Sequence, residues 1–238
     1  KRYPEIIFPY INSKKGKVSA YNLAYSHSTG DLFTFVGGDD YIVPATLDTR
    51  AHVLSEGRDK PQISYAAMEF FQNHCSEKFH RAPTFGGGNT SGGAAMFNKA
   101  LANFVFPIPE HLPNEDTWLH AIALGVAEGI YCVNCSSVRN RVHKNNSWNR
   151  GGNYMTVRGN IDKRYEAYPL ALEKILSKGV PPRERLFAYV SANRSRLAGK
   201  FIEIAMSRNL SPREKVNLIQ YSNHFFFKLT KYAKLVFR

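Results

Sequence analysis

Residues 31–41 have the sequence DLFTFVGGDDY, an apolar run that ends in two adjacent carboxylates. The run at 32–36 is bounded by glycines, which is typical of a short buried strand. We therefore expect Asp39 and Asp40 at the carboxyl end of a strand, where open α/β sheets bind ligands. Two adjacent carboxylates repel each other unless a cation lies between them, and their hard oxygens suit Mg²⁺ or Mn²⁺. The alternative is a solvated turn, because Gly and Asp are common turn residues.

The sequence around this loop predicts alternating strands and helices. Strands are predicted over residues 5–8, 32–36, 63–71, 94–97 and 130–133, and helices over residues 18–28, 45–54 and 115–125. Alternation of this kind indicates an α/β fold, and we expect a mostly parallel sheet with flanking helices. The Gly-rich residues 84–93 are predicted to form a loop over a site, although an ordinary surface connection would have the same composition.

Charge divides the chain into two parts. Its 238 residues carry a net charge of +13. Residues 151–238 hold 17 Lys and Arg against 6 Asp and Glu, whereas residues 1–150 hold 15 against 13. We therefore predict a nearly neutral globular part over 1–150 and a basic helical region over 151–238. Such a basic region suggests an anionic partner, either nucleic acid or a phospholipid surface.

The basic region is predicted to form helices over residues 162–177 and 182–208, and from Ser211 to the end of the chain. On a helical wheel of residues 225–238, one arc is apolar: Phe225, Phe226, Leu229, Tyr232, Ala233, Val236 and Phe237. The opposite arc holds Lys228, Lys231, Lys234 and Arg238. This pattern predicts a helix that lies on an anionic membrane surface, and the alternative is a helix packed on the globular part.

The cysteines favour a reducing compartment. There are three, and their number and wide spacing argue against a disulfide framework. Cys132 and Cys135 form a CxxC without a second pair, so we expect buried strand residues rather than a zinc site. No signal peptide and no apolar span of about 20 residues is evident in the sequence, which predicts a cytoplasmic protein.

Further candidate residues follow the Pro-rich loop at 107–113. Asn114 is predicted to cap a helix whose first turn contains Glu115 and Asp116. Two acidic residues there favour the helix dipole whatever else they do. His143 lies in a predicted polar loop at 139–150, where a histidine is usually solvated.

Several segments, taken together in their order and spacing, resemble the family 2 glycosyltransferases of the GT-A fold, of the bacterial surface-polysaccharide type. They are KGKVSAYNLA at 15–24, TGD at 29–31, GDDYIVP at 38–44, NED at 114–116 and RVHKNNS at 141–147. The resemblance covers residues 1–150 and implies a GT-A-type, Rossmann-like catalytic domain. It departs from the family at Gly37, where the first acidic residue usually stands. The family's first two strands are also absent upstream, so we expect the functional protein to be longer.

The resemblance implies an inverting, metal-dependent hexosyltransferase-like enzyme of polysaccharide biosynthesis. Its donor would be a nucleotide diphosphate sugar, and its acceptor a glycan or a lipid-linked sugar. Asp116 would be the catalytic base, with Glu115 shaping the pocket. The implied metal ligands for Mg²⁺ or Mn²⁺ are Asp39, Asp40 and His143, and the implied donor-binding residues are Asp39, Asp40, Lys17, Asn22 and Arg141.

Two other interpretations remain open at this point. The basic region suggests a non-enzymatic nucleic-acid-binding module, but it contains no recognisable recognition motif, so no nucleic-acid partner is expected. That interpretation also leaves the acidic loop and the pair Glu115-Asp116 unexplained. A degenerate, inactive transferase-like protein is suggested by Gly37 and by the absent upstream strands.

Overall fold

The computed structural model describes residues 7–71, 80–83, 88–142 and 153–236. Within these ranges, one sheet of six strands forms the centre of the molecule. The strands are β1 (Leu32–Phe33), β2 (Tyr41–Ile42), β3 (Gln62–Phe71), β4 (His80–Ala82), β5 (Ala95–Asn98) and β6 (Gly129–Arg141). Their order across the sheet is β1-β5-β3-β6-β2, and β4 also pairs with β3.

The sheet is mixed, so the prediction of a mostly parallel sheet is wrong. Among the described strands, only β3 and β6 pair in parallel. The pairs β1–β5, β3–β5, β3–β4 and β2–β6 are antiparallel. Antiparallel strands need no helical crossover between them, so a chain can alternate strands and helices and still build a mixed sheet. The α/β class itself is confirmed.

The helices of the described ranges surround this sheet and continue beyond it. Those before residue 150 are α1 (Lys17–Ser26), α2 (Leu47–His52), α3 (Lys99–Val105) and α4 (Glu115–Val126). Those after it are α5 (Tyr154–Tyr165), α6 (Ala167–Ser177), α7 (Glu184–Leu197), α8 (Phe201–Met206), α9 (Pro212–Ile219) and α10 (His224–Val236). The helices predicted over 182–208 and from Ser211 onward are therefore each two shorter helices. The helix predicted over 162–177 corresponds to α6 and the end of α5, which begins earlier, at Tyr154. Gly199, at φ +73°, adopts a left-handed conformation after α7 and helps to end it.

Strand β3 is covered on both faces. Residues 62–68 are all buried, with Ile63 and Tyr65 in the same apolar cluster as α4. Ser64 points the other way, and its hydroxyl donates to the backbone oxygen of Arg50 in α2 over 3.4 Å. Since successive side chains of a strand face opposite sides, helices must lie against both faces of the sheet. This arrangement fixes α4 directly against the central strand.

The apolar core is continuous across the boundary predicted at residue 150. A single cluster joins Trp118 and Ile122 of α4 to Ala171 and Ile175 of α6 and to Leu186 of α7. Gly125 is needed at this contact, because a Cβ there would lie only 2.4 Å from Ile175 Cδ1. The first helices of the basic region therefore share their core with the preceding residues.

Two predictions about the outer strands need correction. The predicted strand at 32–36 is regular only over β1, and β6 extends to Arg141, so the predicted polar loop at 139–150 begins later. Cys132 lies in β6 as expected but is exposed, and Cys135 is partly exposed. The expectation that the CxxC residues are buried is therefore wrong. Half of the strand predicted at residues 5–8 lies outside the described residues, and neither Ile7 nor Phe8 is in a strand.

Helices α9 and α10 follow in order, and α10 packs against α8 and α5 through one of its sides. Ser211 caps α9 in a capping box with Glu214, as its Ser-Pro start predicted. Phe226 of α10 packs on Phe201 of α8, with ring centroids 4.8 Å apart, and Phe227 packs on Tyr154 at 5.6 Å. No helix of the described residues has the length and apolar character needed to cross a membrane.

Candidate active site

The acidic loop is a tight turn that closes directly after β1 and the short run that follows it. The backbone N–H of Asp40 donates to the Gly37 oxygen over 3.1 Å. A Cβ at Gly37 would lie 2.9 Å from Asp40 Oδ2 and 3.3 Å from Asp39 Oδ1. Glycine therefore leaves room for both carboxylates to approach the same side of the turn. An aspartate at this position would press on both, so the departure from the family pattern fits this backbone.

Asp40 is held in place by β6, the strand that pairs with β2. Asn140 Nδ2 donates to Asp40 Oδ1 over 2.8 Å, and the backbone N–H of Arg141 donates to the same oxygen over 3.3 Å. The pairing of Tyr41 with Arg139 brings β6 to this position. Burial raises the pKa of the Asp40 carboxyl, the Asp39 charge raises it further, and these hydrogen bonds oppose both effects.

The Asp39–Asp40 pair fits a Mg²⁺ or Mn²⁺ ion. Asp40 Oδ1 accepts from Asn140 and from the Arg141 backbone, whereas Asp40 Oδ2 and Asp39 Oδ1 both lie close to the space beside Gly37. Within the described ranges, no three His, Cys, Asp or Glu side chains cluster so as to enclose a metal ion. Mg²⁺ often binds through one or two carboxylates and completes its shell with water and substrate phosphates, so two carboxylates are enough. His143, the third predicted ligand, lies outside the described residues.

The second carboxylate group lies at the start of α4. Thr117 donates to Asp116 Oδ1 through its backbone N–H over 2.6 Å and through its hydroxyl over 3.2 Å. Asn114 occupies the N-cap position, but its side chain makes no capping bond and instead donates to the Thr117 hydroxyl over 2.8 Å. Asn114 therefore occupies the predicted N-cap position, but the predicted capping contact of its side chain is wrong. Asn114 Oδ1 is buried without a partner, and it is an acceptor beside the two carboxylates.

Glu115 is buried and paired with a cation. Its side chain is 6% exposed, and Oε2 lies 2.7 Å from Nζ of Lys17 at the start of α1. Burial raises the pKa of Glu115, the charge of Asp116 raises it further, and Lys17 opposes both. The structure thus brings together Lys17 and Glu115, which are 98 positions apart in the sequence.

A guanidinium from the basic region reaches the same helix start. Arg164 of α5 lies with Nη1 3.8 Å from Asp116 Oδ1. Both side chains are mostly buried, at 18% and 23% exposure. Thr117 and Arg164 both approach Oδ1 of Asp116 rather than Oδ2. No local pattern indicates Arg164, because its proximity to Asp116 depends on how α5 packs.

Gly92 and Tyr21 connect the two carboxylate groups. A Cβ at Gly92 would lie 2.8 Å from Glu115 Oε1 and 3.3 Å from Phe35. Gly92 therefore lies between Glu115 and the apolar run at 32–36. Tyr21 of α1 packs on Phe35 with ring centroids 4.5 Å apart and the rings tilted by 45°. Its pKa is raised by burial and then by the charges of Glu115, Asp40 and Asp116. Charges from both acidic groups therefore raise the pKa of the same tyrosine hydroxyl.

The remaining predicted site residues have other contacts. Asn22 exchanges two hydrogen bonds of 2.8 Å with the backbone of Ile108, which fixes α1 against the loop before α4. The donor-binding role predicted for Asn22 stays a prediction, and its observed contacts are structural. Arg141 approaches Asp40 through its backbone. Trp118 is buried and donates from Nε1 to the Val105 oxygen over 2.8 Å, so it packs in the core.

Comparison with known proteins adds no family to these observations. No protein-family model matches the chain, and no curated protein sequence matches it. The resemblance to family 2 glycosyltransferases therefore stays a hypothesis that depends on the motifs and on the geometry of this site.

Proposed function

We propose that the protein is an inverting, metal-dependent glycosyltransferase of the GT-A type. It would move a sugar from a nucleotide diphosphate donor to a glycan or lipid-linked acceptor in surface polysaccharide synthesis. The observation that carries this proposal is the proximity of two separate acidic groups. Phe35, which precedes the turn of Asp39 and Asp40, lies 3.3 Å from the position that a Cβ of Gly92 would take, and that position is 2.8 Å from Glu115 Oε1. Tyr21 packs on Phe35, and the charges of Glu115, Asp40 and Asp116 all raise its pKa. A transferase of this kind needs one acidic group at the leaving diphosphate and another at the acceptor.

On the acceptor side, Asp116 is the base. A sugar hydroxyl is a poor nucleophile, so its proton must leave as the new bond forms. Asp116 Oδ2 takes that proton while the acceptor oxygen bonds to the anomeric carbon and the bond to the diphosphate oxygen breaks. A single base with direct displacement inverts the configuration at that carbon. Thr117 and Arg164 hold Asp116 Oδ1, which fixes the orientation of the carboxylate.

On the donor side, Asp39 and Asp40 would hold Mg²⁺ or Mn²⁺. A bound divalent cation supplies charge neutralisation for the departing diphosphate. The protein's own contribution is to keep Asp40 in one orientation through Asn140 and the Arg141 backbone. Asn140 therefore acts as a positioning residue, although the sequence interpretation did not include it.

Glu115 would shape the pocket beside Asp116. Its side chain is buried, with Oε1 close to Gly92 and Oε2 paired with the partly exposed Lys17. This also supports the interpretation of the Gly-rich residues 84–93 as a segment over a site, since their described end contacts Glu115 and Phe35.

A donor screen with the full-length protein tests the proposal. Thermal unfolding would be followed with UDP-sugars, with and without Mn²⁺, and then with an oligonucleotide. A metal-dependent stabilisation by a nucleotide sugar, followed by release of the nucleoside diphosphate in the presence of acceptor glycans, is expected. Donor binding without turnover for any acceptor would indicate the degenerate transferase. Stabilisation by the oligonucleotide alone would favour the nucleic-acid-binding module.

A further inference from the structure

The outer side of the last helix exposes apolar residues that the fold leaves uncovered. Phe225, Leu229 and Tyr232 of α10 are 68%, 53% and 65% exposed. They stand at positions i, i+4 and i+7, which places them on one side of the helix. Phe226 and Phe227 face the protein instead, where they pack on Phe201 and Tyr154. The single apolar arc predicted from the sequence is therefore divided between an inner and an outer side.

The exposed residues of α10 form an apolar surface rather than one isolated side chain. The term tail face is used here for Phe225, Leu229 and Tyr232. Phe225 also contacts the inward-facing Phe226, with ring centroids 5.4 Å apart, so the outer and inner sides meet at this point. Exposed patches of aromatic and aliphatic groups mark interaction sites.

Lysines flank the tail face. Lys228 and Lys231 follow Phe225 and Leu229 in the helix and are both exposed. After Glu214 the sequence contains no acidic residue up to its last position, whereas it contains five Lys and Arg residues. The charge beside the apolar groups is therefore of one sign, so the complementary surface must be anionic.

We propose that the tail face docks the protein on an anionic phospholipid surface. Aromatic and leucine side chains enter the boundary between headgroups and acyl chains, while lysines extend to the lipid phosphates. A nucleic acid would satisfy the lysines but would leave Leu229 and the aliphatic part of the face in water. This inference does not depend on the proposed transferase activity, because no residue of the tail face belongs to the candidate active site.

Vesicle flotation with the whole protein tests the docking directly. Vesicles of phosphatidylcholine containing about 30 mol% phosphatidylglycerol would be compared with phosphatidylcholine alone, since the anionic surface potential is the expected source of selectivity. Binding to the anionic vesicles and little binding to the neutral ones is expected. Binding should weaken when the salt is raised from about 0.05 M to about 0.5 M, because added salt screens exposed charges. No binding to anionic vesicles at the lower salt would overturn the proposal.

A matched pair of leucine substitutions separates the tail face from general surface hydrophobicity. Leu229 and Leu176 are 53% and 52% exposed, and Leu176 lies in α6, outside the tail face. We expect L229Q to weaken binding to anionic vesicles by roughly fivefold or more, because a leucine no longer enters the bilayer. L176Q should leave binding within about twofold of the unchanged protein. Equal effects of the two variants, or no effect of L229Q, would overturn the assignment, and circular dichroism would verify that both variants fold.

Discussion

The start of α4 and the outer side of α10 depart from the usual distribution of polar and apolar groups in opposite ways. At α4 an acidic side chain is buried and matched by named partners, with Lys17 2.7 Å from Glu115. At α10 three large apolar side chains face solvent without cover from the described residues. Burying a charge costs free energy unless it is paired, and exposing apolar area costs free energy until a partner covers it. The buried charge of the first region is paired within the fold, whereas the exposed apolar side of the second needs a partner outside it.

The largest expected effect concerns the base. Asp116→Asn should lower transfer activity by about 10²–10⁴-fold while leaving donor binding unchanged, because only proton removal is lost. Nucleoside diphosphate release with a responsive donor and acceptor would measure it. Asp48→Asn is the matched control, since Asp48 also lies in the first turn of a helix, α2, and should keep full activity. Retention of activity by D116N would remove Asp116 from the mechanism.

A smaller effect is expected at the residue that orients Asp40. Asn140→Ala removes the 2.8 Å hydrogen bond to Oδ1. Loss of such an outer contact typically weakens metal affinity by about 10–100-fold, and a similar loss is expected here for Mn²⁺ in the presence of nucleoside diphosphate. Calorimetric titration would measure it, with Asn134→Ala on the same strand as the control. Unchanged affinity would mean that Asp40 does not need this support.

Removing Lys17 tests the buried charge. Lys17→Met leaves the Glu115 carboxylate without its cation, which should lower the free energy of unfolding by about 1–3 kcal/mol near neutral pH. The pKa of Glu115 is already raised in the folded state by burial, so the native protein binds this proton more tightly than the unfolded chain does. Stability attributable to Glu115 is therefore lost as pH rises through the range above the ordinary glutamate pKa, and K17M should extend that loss to higher pH.

Urea unfolding at about pH 5.5 and about pH 7.5 would measure this difference. The destabilisation of K17M should be larger at the higher pH and should largely disappear in the double variant K17M/E115Q. Lys14→Met is the control, because the pair Lys14–Glu110 is exposed at 67% and 44% and such surface pairs contribute little. An equal loss in K14M would contradict the special position of Glu115.

The smallest effect separates the two sides of α10. Phe226→Ala should lower the free energy of unfolding by about 1–2 kcal/mol, because a partly buried ring that packs on Phe201 is lost. L229Q should change it by no more than about 0.5 kcal/mol, since Leu229 makes no core contact in the absence of a membrane. Chemical denaturation of both variants would measure the contrast. A large destabilisation by L229Q would show that the outer side belongs to the core after all.

The sequence predicted elements well where a local pattern determines them. The helix predicted at 115–125 is Glu115–Val126, and the strand predicted at 63–71 is Gln62–Phe71. The sheet was predicted less well, because the direction in which β1 pairs depends on β5, which lies about 65 positions later. Local periodicity carries no information on that choice. The divided helices of the basic region follow from local breaks such as Gly199, a residue type that commonly ends helices.

The candidate site also combines residues that local sequence predicts with residues that only the packing reveals. Asp40, Glu115, Asp116 and Lys17 were identified from motifs, and the structure brings Lys17 to Glu115. Asn140 and Arg164 were missed because each reaches a carboxylate from a distant part of the chain. Tyr21 lies in the helix predicted at 18–28, but nothing in the sequence indicated the charges around it. Motifs thus identify the acidic groups, and packing determines their partners.

Mn²⁺ titration of the full-length protein in the presence of a nucleoside diphosphate tests most directly whether the two acidic groups have separate roles. Asp40→Asn should weaken Mn²⁺ binding by at least about tenfold, whereas Asp116→Asn should change it by less than about twofold, because only the first residue would be a metal ligand. Equal Mn²⁺ affinity in the unchanged protein and in D40N would contradict the assignment of the acidic turn as the donor site.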